Sequence, residues 1–148
     1  MKILKTVRIA RRHEDVFRAI SLGEFFRSSG IIQSSLSLDF KEKGAFSFAC
    51  PWGHKCSGIF LSIGFASFIS FSWVKSGAEH SEKSLVSLVQ IRLAPDGNDT
   101  VLELAHSGLN ISDALDFYHL EWASVLETFK KNLENYGLND RARNLSYV

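Results

Sequence analysis

Between Ile31 and Ser107 apolar residues recur at about every second position, and beyond Ser112 they recur at every third or fourth. The first period is that of strands with one buried face, and the second is that of a helix with one apolar stripe. The stripe runs through Leu115, Tyr118, Trp122, Leu126, Phe129, Leu133 and Tyr136, and His119, Ala123 and Val125 widen it. Asp116, Glu121, Glu127, Lys130, Lys131 and Glu134 occupy the other faces. This spacing predicts a helix over Ser112–Tyr136, a rod of roughly 37 Å. Ser112 suits the N-cap, Asp113 and Asp116 suit the first turn, and Gly137 is the expected left-handed stop. A rod this long needs a matching apolar surface, and the alternating segments before it are suited to supply one.

Taken in order, Lys2–Ala10 reads as a strand with Ile3, Val7 and Ile9 on one side. Arg12 to Asp15 opens a short helix edged by Val16, Phe17 and Ile20, and Glu24–Arg27 forms a second helical turn after Gly23. Strands are then expected over Ile31–Phe40, Ala45–Cys50, His54–Ile63, Phe65–Val74, Ser84–Leu93 and Thr100–Ser107. The punctuation between them is Lys41–Gly44, with Gly44 at the positive-φ position, then Pro51-Trp52-Gly53, Gly64, a polar loop over Lys75–Lys83, and Pro95–Asp99. The polar tail Asn139–Val148 is expected to fray. One strand, two small helices, six strands in a meander and one long helix make a single α+β domain over residues 1–148. The expected sheet is antiparallel, curved, six to seven strands wide, and wrapped on the C-terminal helix.

Composition narrows the function classes. The chain has 148 residues, 45% of them apolar and 22% charged, with a net charge of +1, so no global field favours nucleic acid. Lys2, Lys5, Arg8, Arg11 and Arg12 crowd the start, but alternation spreads them over both strand faces, which favours a solvated edge over an anion patch. No run of ~18 apolar residues suggests a membrane span, and the opening residues lack a signal-peptide core. The default compartment is the cytoplasm, where Cys50 and Cys56 are expected as thiols, with a cross-strand disulfide left open. With His54 they make three soft ligands around one turn, but structural zinc wants four, so no metal is expected.

No catalytic motif emerges. The chain lacks Gly-x-Ser-x-Gly, His-Glu-x-x-His and a phosphate-cradling glycine loop. Glu14 and Asp15 suit the first turn of a helix, and Glu103 alternates onto the face opposite His106. No catalytic residue and no cofactor are therefore expected.

Several local signatures do carry a resemblance. His106-Ser107-Gly108-Leu109 closes the last strand, and Trp122 follows in the final helix. Val16-Phe17-Arg18-Ala19, Gly44-Ala45-Phe46, Gly58 and Phe71-Ser72-Trp73 support them across nearly the whole chain. Together these residues resemble the helix-grip fold of the START-like, SRPBCC superfamily, and within it the branch named after the activator of heat-shock protein 90 ATPase. Glu121 stands where that branch usually has Gly, Phe25-Phe26 where it has Trp-Phe, and a single Gly44 where it has two.

The resemblance implies a cavity between sheet and helix that takes an apolar small molecule, lipid-like or aromatic. The candidate ligand-binding set is Phe26, Phe48, Phe60, Phe71, Trp73, His106, Tyr118 and Trp122, with Phe46 on the same face. Alternation does not decide whether these rings line a pocket or fill it, nor whether His106 acts at the pocket mouth or braces the loop after it. The first reading is a non-enzymatic binding module. The alternatives are a stress-response or co-chaperone-type interaction domain with a filled core, which could be a homodimer, and a polyketide cyclase-like enzyme using His106 or Arg92.

Overall fold

The computed structural model describes residues 2–51, 53–76, 86–109 and 112–139, with the side chains of the last helix described over 116–135. Trp52, most of the polar loop after Lys75, Ser84, Asn110, Ile111, the Leu115 and Tyr136 side chains and the tail 140–148 lie outside the described residues.

Among the described residues seven antiparallel strands form one sheet: β1 (Lys2–Ile9), β2 (Ser37–Leu38), β3 (Ala45–Ala49), β4 (Lys55–Gly64), β5 (Phe68–Ser76), β6 (Val86–Asp96) and β7 (Asp99–Ser107). The spatial order is β1-β7-β6-β5-β4-β3-β2. β2 to β7 are thus a meander, and β1 closes it by pairing with β7, Ile3 opposite His106 and Ile9 opposite Thr100. α1 (His13–Ser21) and α2 (Glu24–Arg27) follow β1, and α3 (Ser112–Asn139) runs along the inner face close to β1 and α2. Period-2 alternation explains the layering. Phe46 and Phe48, Phe60, Ile69, Phe71 and Trp73, Val89 and Ile91, and Leu102, Leu104 and His106 all turn inward and are buried. From α3, Tyr118, Trp122, Val125, Leu126, Phe129 and Leu133 meet them. This is the α+β arrangement expected from the sequence.

Local chemistry moved several boundaries. Ile31–Phe40 is not a long strand: Gln33–Ser35 is a 3-10 turn and only Ser37–Leu38 pairs with β3. The Ser35 hydroxyl donates to the Ile32 carbonyl at 2.6 Å and accepts the Ala49 N–H at 2.8 Å, a local alternative to ladder bonds. In the β2–β3 connection the positive φ falls on Lys43 (72°), not on Gly44. Gly44 is required for a different reason, since a Cβ there would overlap the Asp39 carbonyl. β5 begins at Phe68 because residues 65–67 form the turn, with Ala66 at a φ of 56°. β6 extends through Pro95 to Asp96, which pairs with Asp99, so the hairpin turn is only Gly97 and Asn98.

The expected stop at Gly137 is not used, and α3 continues to Asn139. The helix is instead tethered one turn earlier. Arg11 donates from Nε to the Leu133 carbonyl (3.1 Å) and from Nη2 to the Glu134 carbonyl (2.6 Å), while the Glu134 carboxylate takes the Ala10 N–H at 2.8 Å. Basic side chains of the N-terminal segment are therefore engaged in the fold, Arg11 on α3 and Arg8 with Asp96 (2.7 Å) and Asp99 (3.1 Å).

Candidate ligand site between the sheet and the long helix

The space between sheet and helix divides into two regions. Its centre is filled by phenyl rings. Phe26 stacks on Phe46 with centroids 4.8 Å apart, Phe60 meets Phe71 at 5.8 Å, and Phe25 meets Phe129 edge-on at 5.7 Å. All six are at most 1% exposed. Of the candidate set, Phe26, Phe60 and Phe71 belong to this block. Phe26 and Phe25 arrive there because Gly23 holds a φ of 95° ahead of α2 and directs the short helix into the core.

The other region lies under the N-terminal half of α3, where Trp73, His106, Tyr118 and Trp122 each carry a polar ring atom or hydroxyl. The Trp122 indole donates from Nε1 to His106 Nδ1 at 2.9 Å. An indole N–H can only donate, so Nδ1 is the acceptor and the imidazole proton sits on Nε2. Nε2–H then donates to Ser87 Oγ at 2.8 Å, and the Ser87 hydroxyl donates onward to the Trp73 carbonyl at 3.2 Å. Gly108, at a φ of 87°, makes this approach feasible: a Cβ there would lie 3.3 Å from Ser87 Cα. His106 is fully buried, and burial lowers its pKa to about 4, so the ring is neutral at ordinary pH. With both nitrogens occupied, it serves as a brace between β6, β7 and α3.

Beside this brace, Trp73 Nε1–H donates to the Tyr118 hydroxyl at 3.1 Å. Among the described residues no acceptor takes the Tyr118 proton. Burial pushes the phenol up to about 12, which keeps it a donor. These groups border a cavity of about 30 Å³, partly open to solvent and lined by Phe48, Trp73, Tyr118, Trp122 and Val125, with Ser29, Cys50, Cys56, Lys75, Phe117 and Glu121 completing the wall. Its volume is a few times the ~10–15 Å³ that one water requires. Lys75 Nζ sits 3.9 Å above the Phe117 ring, a cation–π contact at the rim.

Four of the eight candidate residues therefore line the cavity, namely Phe48, Trp73, Tyr118 and Trp122. His106 stands behind them, and Phe26, Phe60 and Phe71 sit in the filled block. Sequence reasoning did not pick out Cys50, Cys56, Lys75, Glu121 or Val125 as lining residues. The signal was present as parity: Cys50 and Cys56 share the inward face of Phe48, Lys75 continues the face of Trp73, and Glu121 and Val125 flank Trp122 on the helix. Both cysteines are free thiols, and burial raises the pKa of each, Cys56 to about 12. Neither is an activated nucleophile. Among the described residues no three His, Cys, Asp or Glu side chains converge to hold a metal ion, and no helix is long and apolar enough to cross a membrane.

The pairing of His106 with Trp122 across sheet and helix is the physical content of the signature read from sequence. A family model described as activator of Hsp90 ATPase homolog 1-like protein matches residues 11–134. The chain belongs to that family. The matched range begins at Arg11 and ends at Glu134, two residues that tie the segment after β1 to α3.

Solved structures agree on the fold of this family member. Protein MLL2253 from Mesorhizobium loti superposes with a TM-score of 0.78 at 17% identity, covering 91% of this chain and 98% of its own. The Aha1 dimer from Colwellia psychrerythraea gives 0.74 at 16% identity, covering 90% and 96%. CalU16 from Micromonospora echinospora gives 0.68 at 20% identity, covering 99% and 85%. No curated protein matches the chain. At these identities the likeness is one of fold, the helix-grip arrangement of the SRPBCC superfamily.

Proposed function

We propose that this family member is a non-enzymatic binding domain whose site is the cavity beneath the N-terminal half of α3. The observation that carries this reading is the wall of that cavity, where Phe48, Trp73, Trp122 and Val125 give an apolar lining and the Tyr118 O–H supplies a donor with no described acceptor. A few well-placed polar groups in an apolar pocket are the usual basis of small-molecule recognition. The size of the cavity limits the ligand: about 30 Å³ is well below the ~150 Å³ that encloses a benzene ring, so a compact aromatic with one acceptor atom seats only its polar edge inside and leaves the rest in the open side, whereas a full lipid chain has no space in the filled phenyl block. A cyclase-like role is not favoured, because His106 has both ring nitrogens engaged inside the fold, and Arg92 lies on the exposed outer side of β6.

Native mass spectrometry of the purified protein, with phenol, indole and octanoate titrations followed by tryptophan emission, tests the reading. A Trp52→Phe background leaves Trp73 and Trp122 as the emitters. Saturable quenching or shift with a ring-bearing probe is expected, and Tyr118→Phe should weaken phenol by roughly tenfold, the loss of one buried hydrogen bond. No bound species and no response to any probe would contradict it.

A second reading, a homodimeric protein-interaction domain, is supported by the filled phenyl block and by the family relative described as a dimer.

A further inference from the structure

The outer face of the sheet, opposite α3, has a composition unlike the rest of the surface. On its central strands most outward positions are serine or small and branched apolar residues, with Gln90 the uncharged polar exception on β6. Ser47, Ser57 and Val74 lie in register across β3, β4 and β5, with Val86 next on β6. Ile59 is 47% exposed and Val86 66% exposed. Among the described residues, formal charges stand only around this area: Lys55 at one end of β4, Arg92 opposite Glu103 toward the other end, and Lys2 on the β1 side.

The face also has relief. Gly58, Ser57, Ser47 and Ser72 form the floor of a shallow trough of about 490 Å³, and Ile59, Val74 and Val86 border it. The β4–β5 ladder is drawn close beneath the trough, and its register shifts just beyond it, between Phe60 and Ser62. The Ile59 N–H is taken by the Ser72 hydroxyl at 2.9 Å, and Gly58 lies so close to the Ser72 carbonyl that no Cβ would fit. The irregularity between Phe60 and Ser62 bends β4 locally at the edge of the trough.

We propose that this outer face is the docking surface for a second copy of the chain. The inference rests on the homodimer reading above and names its interface. A two-fold interface brings the same patch together with itself, so each side must carry both projection and recess, and like charges near the axis would repel. This face meets all three conditions: Ile59 projects, the serine-floored trough receives, and among the described residues the area between the charged borders is uncharged. Nucleic acid or an anionic surface would want lysines or arginines there, and an acidic or basic protein would want the opposite charge. The patch spans five strands and about six residues along them, on the order of 500 Å² per copy, which is at the low end for a specific interface. The expected dimer is therefore a concentration-dependent one.

Sedimentation velocity over a concentration series up to about 1 mM tests this, with Ile59→Arg and Ser47→Arg as interface variants and Leu120→Arg, on the exposed side of α3, as the control. The expected result is a wild-type dimer whose dissociation constant rises at least tenfold in both interface variants and is unchanged in the control. Amide shifts of Ser47, Ser57, Ile59 and Val74 that move with wild-type concentration give the same answer without a substitution. A wild type that stays monomeric throughout removes the homodimer reading and the interface with it. A dimer that ignores both interface variants, or that only Leu120→Arg dissociates, leaves the homodimer standing and overturns the choice of face.

Discussion

The two regions under α3 are built from similar rings and solve different problems. Phe26, Phe46, Phe60, Phe71 and Phe129 have no polar atom, so close packing alone satisfies them and they leave no space. At the other end Trp73, Trp122, Tyr118 and His106 each bring a nitrogen or oxygen that costs free energy when buried without a partner. Those partners fix ring positions by hydrogen-bond geometry before packing, and a cavity of about 30 Å³ is left where the geometry does not tile. The lesson is that polar handles fix the rings around the cavity, whose wall Phe48 and Phe117 complete, whereas the central phenyl block is governed by packing alone.

Four substitutions break or sharpen that contrast, from the largest expected effect to the smallest. Phe71→Ala, in the filled block, should cost about 3–5 kcal/mol in urea unfolding, the range for a buried phenyl deleted from a tight core. A loss under about 1 kcal/mol would mean that the block is not close-packed. His106→Leu should cost about 2–4 kcal/mol, because Trp122 Nε1–H and Ser87 lose their partner inside the core.

The same histidine sets a pH dependence. Its folded pKa of about 4 lies below the ordinary value of 6.5, so between those values the unfolded chain binds the proton that the folded one refuses. Stability is therefore full above pH 6.5 and falls by about 3 kcal/mol as pH drops toward 4, and His106→Leu should remove that slope. Tyr118→Phe leaves the Trp73 indole N–H unpartnered and should cost about 1–2 kcal/mol. Lys75→Met removes the rim contacts over Phe117 and Tyr118 and should cost about 0.5 kcal/mol or less in the same unfolding assay.

Much of this was legible in the sequence because two periods, 2 and 3.6, carry the layering. Ile69, Phe71 and Trp73 on β5, and Tyr118, Trp122, Leu126 and Phe129 on α3, were placed on their buried faces by spacing alone. The errors fall where short polar side chains or single tertiary contacts override periodicity. Ser35 diverted Ile31–Phe40 into a turn, and Arg11, 122 residues away from Leu133, took the carbonyl that a C-terminal glycine was expected to serve. Glycine was read for its positive φ at Gly44, where the reason is a close carbonyl. For the site, periodicity placed rings on the right face but could not say which of them touch. Phe60 and Phe48 share an inward parity across paired strands, and Phe26 of α2 lies 6.3 and 6.2 Å from them, so only the three-dimensional course of the strands decides that Phe48 also reaches the cavity wall. The role of His106 was similarly out of reach, since it depends on Ser87 and Trp122, on two other elements.

The measurement that bears most directly on the contrast between the two regions is a phenol titration of isotope-labelled protein, followed by NMR. The indole Nε1–H resonances of Trp73 and Trp122 should shift saturably, while the ring protons of Phe60 and Phe71 stay within noise. Shifts centred on Phe60 and Phe71, or none at either end, would contradict the assignment of the binding site to the polar end beneath α3.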